Sequence, residues 1–520
     1  MSIKELLIPM TIALLITLGL QYYFGRQDAQ KAANAGSEQM YEVKHDPAAV
    51  APLVWTIDFA GAEKEKNHEA IATCVDTDYV RYTFTTAGAA ITQMECKQWT
   101  HHAALLTALN ARSDQEKALL VAFAEKTPYW YELVSQEQTA DATILTYRSN
   151  LPGDGRIIKT FTVYRHMPKV DLTIALTMSP QTTYIKNMRI FYPSPATESE
   201  SKLNDVRLFV NDTCSPDAVK LYGKLTEVVH KTWLQRTLFG VAAQFVVHAM
   251  VGDANTFVFR SAVNNVDDRY LLAQLEGAEV KESGTWRLSF YFGPKQLNVM
   301  QKVDKRLGDV LDYGMLAPFS RGMLAILNFF YRYVRNYGIA IILLTLLIKL
   351  LLLPLSIKGQ RGMEKHGEFQ RKMQYIKQKY RNDPERLKEE QTALLQQQGV
   401  GGMTGGCLPL LLQIPVFFAL MRVLTNAFEM YDASFLWIPN LSAPDPWYIL
   451  PILSGLSMLL VKPPSLGGAG SKSSSLPFST YAWVLVIAAV SIRLSAGIAL
   501  YIVVNQVLTV VQNRIFATKS

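Results

Sequence analysis

Long uncharged apolar runs lie toward the two ends of this 520-residue chain, and alternating apolar and polar positions fill the region between them. The first run, 6–24, has nineteen uncharged residues, enough to cross a hydrocarbon core of about 30 Å. We therefore predict a membrane anchor at 1–24 and a polar, Ala-rich linker at 25–52. A cleaved signal peptide is the alternative, but the apolar run is long for one and no small-x-small site follows closely.

Residues 53–315 follow a period of two, which predicts β-strands. In "FTVYRHMPKVDLTIALTM", apolar residues alternate with polar or small ones from Val170 to Met178, and 166–169 supplies a hairpin turn. The segment "TWRLSFYFGP" alternates in the same way. With few convincing helices in roughly 250 residues, the region predicts a large antiparallel β-sandwich. Periodicity leaves open whether "LFGVAAQFVVHAM" (238–250) is a strand pair or a helix.

Helical spacing returns at 316–335, where Pro318 suits a first helical position and the arginines lie away from the apolar face. This pattern predicts an amphipathic helix in the membrane interface, leading into the bilayer. A core helix of the β-domain is the alternative. The predicted apolar face consists of Phe319, Met323, Ile326, Phe330 and Val334.

Five more apolar runs follow, which gives six predicted transmembrane helices in all. The last two runs are short and joined only by "SAG" (495–497), so we expect them to form a tight hairpin across the bilayer. The predicted spans are 336–357, 407–427, 447–462, 480–494 and 498–516.

The distribution of positive charge predicts the orientation of these spans, and it is more informative than the net charge of +8. Ten Lys and Arg residues lie in 358–406, whereas 428–446 contains none. The positive-inside rule then places 358–406, 463–479 and the C-terminus in the cytoplasm. Six spans put the N-terminus inside as well, and the β-domain in the periplasm of a bacterial inner membrane.

The cytoplasmic segment 358–406 predicts a helical hairpin with little apolar surface, standing as a mobile arm in water. Met373, Ile376 and Tyr380 contribute to a thin apolar seam. Asp383 and Pro384 form a helix start, with Asp as the N-cap and Pro in the first position. The segment "GVGGMTGG" (399–406) predicts a flexible return to the membrane.

Lys349 lies in the middle of the leucine-rich run "YGIAIILLTLLIKLLLLPL". A charged side chain at that depth costs about 2.5–3.5 kcal/mol on insertion scales. Lys349 is eight residues from Ile357 at the cytoplasmic end, about 12 Å along a helix, and a lysine stem reaches roughly half that far. Snorkelling is therefore a poor explanation, and we predict that Lys349 faces a water-filled groove.

Polar residues at helical spacing on other spans support this groove. Thr345 lies one turn before Lys349, and Ser454 and Ser457 add polar groups from the 447 span. Ordinary hydrogen bonding between helices is the alternative, at about 0.6 kcal/mol per bond. The other predicted groove residues are Gln413, Tyr501, Asn505, Thr509 and Gln512.

Two further cations lie within the apolar runs. Arg422 is five residues from the outer end of its span and can snorkel or pair with Glu429, and Arg493 lies at the outer hairpin. We interpret both as interfacial anchors.

No catalytic or metal-binding pattern is present, so we predict neither an enzyme nor a cofactor. The four cysteines are too few for a disulfide framework, although one bridge among Cys74, Cys96 and Cys214 stays open. Acidic residues are nearly absent from the spans, which argues against a proton- or cation-coupled carrier. A small-solute transporter or channel remains the main alternative function, and a carbohydrate-binding β-domain on an anchor is a third.

Five motifs in sequence order resemble the bacterial YidC membrane-protein insertases of the YidC/Oxa/Alb family. The likeness covers about 290 to 516, and the N-terminal anchor and β-domain are similar to the Gram-negative form. The motifs are "YFGPK" (291–295), "LGDVLDYG" (307–314), "YGIAIILLTLLIKLLLLPLSIK" (337–358), "GGCLPLLLQIPVFFAL" (405–420) and "LWIPNLSAPDPWYILPIL" (436–453).

The resemblance implies a periplasmic β-supersandwich similar to mutarotase folds, and a hydrophilic groove that is open to the cytoplasm and lipid but closed to the periplasm. It implies that a positive residue in the groove attracts acidic segments of nascent membrane proteins, alone or with the Sec translocon. Lys349 stands where most members carry Arg, so the charge is kept and the bidentate fork is lost. The usual Pro-Ser-Gly hairpin reads 495–497 "SAG" here, and the six residues after Arg514 are a short tail for ribosome contact. No sequence-specific nucleic acid contact is implied.

Overall fold

The computed structural model describes residues 52–60, 69–97, 105–123, 127–151, 155–178, 188–196, 206–212, 215–223, 229, 231–280, 282–311, 317–381, 383–404, 408–460 and 478–517. The predicted anchor at 1–24 and nearly all of the linker at 25–52 lie outside these residues. Cys214 and Cys407 also lie outside them.

The described part of the β-domain contains short and medium strands connected mostly as antiparallel neighbours. In chain order they are β1 (Phe59–Ala60), β2 (Ala72–Asp76), β3 (Val80–Thr85), β4 (Ala90–Lys97), β5 (Leu105–Asn110), β6 (Leu120–Ala122), β7 (Thr127–Pro128), β8 (Glu132–Gln138), β9 (Ala142–Leu151), β10 (Gly155–Tyr164), β11 (Lys169–Thr177), β12 (Arg189–Pro193), β13 (Arg207–Asn211), β14 (Val219–Tyr222), β15 (Thr232–Leu234), β16 (Phe239–Ala242), β17 (Val246–Asp253), β18 (Val258–Val266), β19 (Tyr270–Gly277) and β20 (Gly284–Pro294).

These strands form a nine-stranded sheet with three smaller ones. The large sheet has the order β14-β13-β16-β17-β20-β11-β10-β9-β8, beside β15-β18-β19-β12-β6 and β2-β3-β4-β5, and β1 pairs with β7. The Tyr82 hydroxyl donates to the carbonyl of Phe292 at 2.7 Å, and that of Tyr192 donates to Phe239 at 2.8 Å. Each bond joins a smaller sheet to the large one, so the apolar faces enclose a common core.

The alternation in the sequence correctly predicts this part of the fold. The predicted hairpin is β10 and β11, paired antiparallel, and Val170, Leu172 and Ile174 are completely buried. The ambiguous segment 238–250 is a strand pair, because β16 and β17 are antiparallel neighbours in the large sheet. Both faces of these two strands are largely buried, so apolar and polar residues alternate little along them. The pattern therefore does not distinguish the strand pair from a buried helix.

The two described cysteines of the β-domain, Cys74 on β2 and Cys96 on β4, are free thiols. Strand β3 lies between their strands. Burial raises the pKa of the Cys96 thiol to about 12, so it behaves as a small apolar side chain.

His248 on β17 predicts an acid sensitivity of the β-domain. Its side chain is fully buried, Nδ1 lies 2.9 Å from the carbonyl of Pro193, and burial lowers its pKa to about 4. An unfolded histidine titrates near 6.5, so between these values the unfolded state binds more protons. We expect the free energy of unfolding to fall by about 3 kcal/mol as the pH drops from 6.5 to 4.

Urea unfolding at several pH values, read by proteolysis of the β-domain, measures this loss. His248→Asn keeps a donor for Pro193 and should flatten the pH dependence over this range. Lys220→Met, at an exposed position on β14, changes no histidine and should leave the pH dependence unchanged. Equal slopes for wild type and His248→Asn would contradict the assignment.

The helices follow the β-domain and begin within its last segment. They are α1 (Leu297–Val303), α2 (Ala317–Val334), α3 (Tyr337–Lys379), α4 (Pro384–Thr404), α5 (Leu408–Asn426), α6 (Ile449–Leu460), α7 (Phe478–Ile492) and α8 (Ala496–Ala517), with short 3-10 turns at Asp114–Glu116, Lys305–Val310 and Phe428–Met430.

Two helical stretches among the described residues are long and apolar enough to cross a membrane, Tyr337–Pro354 and Ala496–Ile515. Helices α6 and α7 coincide with predicted spans but have 12 and 15 residues. A crossing helix needs about 20 residues, so the number of crossings stays a prediction.

One sequence prediction about the helices needs correction, and α3 adds a feature that was not predicted. Helix α3 continues from the predicted span through Pro354 into the predicted arm. The predicted flexible segment at 399–406 is wrong for 399–404, which belong to α4. Glycine lowers helix propensity by about 1 kcal/mol per residue but does not exclude helical backbone angles.

The predicted apolar face of α2 is only partly covered by neighbouring helices. Helix α2 packs against α3 and α5, and Met323 and Leu327 are buried there. Phe319, predicted for this face, is 45% exposed. The helix is apolar on more than half of its circumference, so the spacing alone does not show which side its neighbours cover.

Candidate functional site

The candidate site lies where α3 and α8 pack side by side. Helix α3 begins with Asn336 as its N-cap, whose Oδ1 accepts a bond from the backbone N–H of Ile339 at 3.1 Å. Helix α8 begins after the tight turn at 493–495, and the backbone N–H of Gly497 donates to the carbonyl of Leu441 at 2.9 Å. The outer ends of both helices are therefore held in place.

Lys349 lies on α3 with its side chain half-buried against α8. Its Nζ donates to Thr509 Oγ1 at 2.8 Å and to Asn505 Oδ1 at 3.3 Å. Thr509 in turn donates to the backbone carbonyl of Asn505 at 2.7 Å, which leaves its lone pairs facing the ammonium. Among the described residues, no carboxylate forms an ion pair with Lys349, so its charge is solvated only by neutral oxygens.

A second polar pair joins α5 to α8, one turn before Asn505. The side-chain amide of Gln413 donates to the hydroxyl of Tyr501. Tyr501 is buried, whereas Gln413 is half-buried. Together with the lysine cluster, this pair gives the inner part of α8 a polar face, as the helical spacing predicts.

Thr345 and Gln512 lie beyond the two ends of these contacts. Thr345 is 2% exposed and donates to the carbonyl of Ile341 in its own helix at 2.6 Å, within an apolar layer. Gln512 is also buried, one turn beyond Thr509. Thr345 therefore marks the outer boundary of the polar region.

Ser454 and Ser457, which the sequence placed with the groove, belong to a different network. Ser454 lies 3.1 Å from Ser491 on α7, and Ser457 donates to Gln506 on α8. Gln506 and Ser491 were not among the polar residues predicted from the sequence. Gln506 is one position past Asn505 and so points about 100° away around the helix, which is the signal that could have separated the two networks.

Burial changes along the α3–α8 contact. Outer apolar residues such as Ile341 and Leu344 are 0 and 1% exposed, whereas Leu350 and Leu351 are 57 and 69% exposed. Lys349 lies at this transition. The apolar side chains directly after Lys349 on α3 are thus exposed, whereas those one to two turns before it are packed.

The two predicted interfacial cations lie on the surface. The side chains of Arg422 and Arg493 are both exposed. The suggested pairing of Arg422 with Glu429 is not formed, because Glu429 is buried and hydrogen-bonded to the side chains of Gln296 and Asn328. Nothing in the sequence indicates that the end of the β-domain approaches Glu429.

The arm residues lie on the end of α3 and at the start of α4. Met373, Ile376 and Tyr380 are half-buried, and α3 and α4 contact each other there. Asp383 caps α4 by accepting a bond from the backbone N–H of Arg386 at 3.2 Å, and Pro384 is the first helical residue. The arm is therefore a pair of helices joined by a short turn.

No metal site accompanies these polar clusters in the described part of the chain, where no group of three or more His, Cys, Asp or Glu side chains is placed to hold an ion. The polar groups around Lys349 are amides and hydroxyls. They can solvate a charge or accept hydrogen bonds, and they include no nucleophile paired with a base.

Comparison with protein-family models identifies the family of this chain. The model described as "YidC periplasmic domain" matches residues 73–326, and the model described as "60Kd inner membrane protein" matches residues 329–520. These matches define an inner-membrane protein with a YidC-type, β-rich periplasmic domain. The chain belongs to the YidC family of membrane protein insertases.

Individual relatives cover part of the chain. The membrane protein insertase YidC of Syntrophobacter fumaroxidans is 34% identical over 337 residues, which is 61% of this chain and 59% of that protein. That of Geobacter metallireducens is 32% identical over 332 residues, 62% of this chain and 60% of that protein. A crystal structure of an active YidC insertase with its first transmembrane domain resolved shares 16% identity, covers 88% of this chain and 94% of its own, and has a TM-score of 0.37.

Proposed function

We propose that this protein inserts nascent membrane proteins into the bacterial inner membrane and assists their folding. The observation that carries the proposal is the half-buried ammonium of Lys349, solvated by Asn505 and Thr509 and without a carboxylate partner among the described residues. An acidic segment of a substrate can supply the missing negative charge. The relatives named above support the proposal through their description as insertases.

The groove acts by shortening the hydrophobic path of a polar segment. Moving a carboxylate into hydrocarbon is costly, and the polar face of α8 with the charge of Lys349 offsets part of that cost. The two hydrogen bonds of Lys349 orient its ammonium without neutralising it, so the charge stays available. Burial of the substrate's own apolar helix in lipid, about 25 cal/mol per Å² of apolar surface, then drives insertion without nucleotide hydrolysis.

The groove opens toward the cytoplasm and closes toward the periplasm in this proposal. The support is the burial of Ile341, Leu344 and Thr345 on the outer side, against the exposure of Leu350 and Leu351 on the inner side. A substrate can then enter from the cytoplasm and leave sideways, along the apolar outer surfaces of α5 and α7. Continuous apolar packing above Thr345 would prevent ions from following it.

The proposed topology has six spans, with both termini in the cytoplasm and the β-domain in the periplasm. Its divisions are the anchor 1–24, linker 25–52, β-domain 53–315, interfacial helix 316–335, spans 336–357, 407–427, 447–462, 480–494 and 498–516, and cytoplasmic arm 358–406. The support is the charge difference between 358–406 and 428–446. The continuous α3 gives the arm a rigid connection to the helix that carries Lys349.

The proposed partners are nascent membrane proteins, the lipid bilayer and the Sec translocon. The arm residues Met373, Ile376 and Tyr380 offer a small apolar seam for a first contact with substrate. A contact with the ribosome belongs to the same set of proposed partners. We propose no nucleic acid sequence recognition and no cofactor.

Depletion of the protein in cells tests the function directly. We expect the insertion of small single- and double-span proteins with acidic outer tails to fall by roughly tenfold or more, since moving even one unassisted charge through the membrane costs a few kcal/mol. Insertion is scored by protease access to the tails from the periplasm. A control protein exported through Sec without a membrane span reports general damage. Normal insertion after depletion would contradict the proposal.

A further inference from the structure

The outer end of α5 is built into the β-domain rather than resting beside it. Phe428, just after α5, belongs to the apolar core of the β-domain, whereas Met430, two residues later, belongs to the core of the membrane helices. Gln244, in the turn between β16 and β17, donates from its side-chain amide to the backbone carbonyl of Thr425 at 3.0 Å. The 3-10 turn Phe428–Met430 is thus the junction of the two cores.

Glu429 lies at the centre of this junction and is 8% exposed. Its carboxyl group is hydrogen-bonded to the side chains of Gln296, which follows β20, and Asn328, on α2. The hydroxyl of Tyr337, the first residue of α3, donates to Asn328 Oδ1 at 3.3 Å. One carboxyl group therefore connects the end of the β-domain, the amphipathic helix α2, the start of α3 and the end of α5.

The groups around Glu429 are amides, and no Lys or Arg forms an ion pair with it among the described residues. Burial raises the pKa of Glu429, because nothing positive nearby compensates the loss of water. A buried carboxyl without a cation stabilises a structure only through its hydrogen bonds. The contribution of Glu429 should therefore depend on its oxygen acceptors and its length, rather than on its negative charge.

We propose that Glu429 is a positioning residue that fixes the outer end of α5 relative to α2 and α3. Helix α5 carries Gln413 to its contact with Tyr501, about 20 Å from Glu429 along the helix axis. A shift of the junction would move this rigid helix and separate the Gln413–Tyr501 pair from the lysine cluster. The inference rests on the proposed insertase function and assigns the junction the task of holding the groove in shape.

Two substitutions separate hydrogen bonding from charge. Glu429→Leu removes both acceptors at similar volume and should lower insertion of acidic-tailed substrates roughly tenfold, which corresponds to about 1.4 kcal/mol. Glu429→Gln keeps an acceptor, and the facing amides can rotate to suit it, so it should insert at nearly the wild-type rate. Asp432→Asn removes one charge from the same loop, at a left-handed backbone position that Asn tolerates, and is the matched control.

Cross-linking distinguishes positioning from a general folding defect. The rings of Phe245 and Tyr431 are 5.1 Å apart across the junction. In a background without native cysteines, Phe245→Cys with Tyr431→Cys can be linked by a short bifunctional thiol reagent. Linking should restore insertion by Glu429→Leu to within about twofold of the same linked protein carrying Glu429, because the link replaces the lost connection.

Each outcome bears on the inference. Normal insertion by Glu429→Leu, or equal loss with Glu429→Gln, would overturn it, as would failure of the link to restore activity. Recovery by linking, even of a variant that accumulates poorly on its own, supports it. If cells depleted of the wild-type protein insert all substrates normally, the proposed function fails, and that result is recognisable before any Glu429 variant is compared.

Discussion

Lys349→Glu is expected to reduce the insertion of acidic-tailed substrates by roughly a hundredfold. The substitution replaces attraction with repulsion at a partly dehydrated site, where two charges at about 4 Å interact by about 4 kcal/mol. It also removes the donor that Asn505 and Thr509 accept from. Pulse-labelled insertion in depleted cells that express each variant measures the effect.

Neutral and conservative variants of Lys349 separate the loss of its positive charge from the repulsion introduced by Glu. Lys349→Arg keeps the charge and should support insertion, whereas Lys349→Ala should lose about tenfold for substrates that need the charge. Arg493→Glu is the matched control, a charge reversal on the exposed outer surface. A substrate with basic residues in place of its acidic ones should be inserted better by Lys349→Glu than by the wild type.

Full activity of Lys349→Glu on acidic-tailed substrates would exclude an electrostatic role for this residue. Tolerance of Lys349→Ala would have a narrower meaning, namely that the substrates tested do not depend on the charge. Comparing substrates with zero, one and two acidic residues in the translocated segment therefore belongs to the same experiment. The loss should grow with the number of acidic residues.

Local pattern was sufficient to predict where the polar cluster lies. The depth of Lys349 in its apolar run indicated that snorkelling could not reach water, and the spacing of Asn505 and Thr509 put both on one face of α8. The structure brings these three side chains together. Contacts of this kind follow from local spacing, because a single helix period determines which residues share a face.

Contacts between elements distant in sequence could not be predicted in this way. Ser454 and Ser457 are as polar as Asn505, but they face Ser491 on α7 and Gln506 on α8, because α6 packs against α7 and against a different side of α8. Glu429 seemed free to pair with Arg422, yet the last segment of the β-domain occupies its surroundings. Which face of a helix meets which neighbour depends on the whole packing arrangement.

In the β-domain as well, local pattern predicts the elements but not the contacts between elements distant in sequence. Alternation indicated the strands β10, β11 and β20, but it contains no information about their order within a nine-stranded sheet. Strands β11 and β20 are direct neighbours although more than 100 residues separate them in sequence. Long-range pairing of this kind is decided by the fit of the buried faces and not by local propensity.

A buried lysine in this domain is one feature that alternation could not reveal. Lys159 on β10 is completely buried, and its Nζ donates to the backbone carbonyls of Gly88 at 3.1 Å, Leu119 at 2.9 Å and also Ala89. All three carbonyl residues have positive φ angles, of 84°, 62° and 40° respectively. Turns with positive φ angles direct their carbonyls away from the strand ladder, and Lys159 donates hydrogen bonds to these carbonyls.

Replacing Lys159 with methionine is expected to lower the free energy of unfolding of the β-domain by about 3 kcal/mol. Methionine fills a similar volume and avoids the cost of burying an amino group. Burial lowers the pKa of Lys159 well below its ordinary value, which shows that this cost is present in the wild type. Against this gain, three buried carbonyls lose their donor, at about 1–3 kcal/mol each. The second effect is larger, so the variant should be less stable.

Urea unfolding of the full-length protein in detergent, read by proteolysis of the β-domain, measures the change. Lys220→Met, at an exposed position on β14, is the matched control and should unfold within about 0.5 kcal/mol of the wild type. Equal unfolding midpoints for Lys159→Met and Lys220→Met would show that the carbonyls do not depend on the lysine. A lower midpoint for Lys159→Met alone would show that one buried lysine side chain holds the turns of β3–β4 and β5–β6 against β10, because its Nζ contacts all three carbonyls.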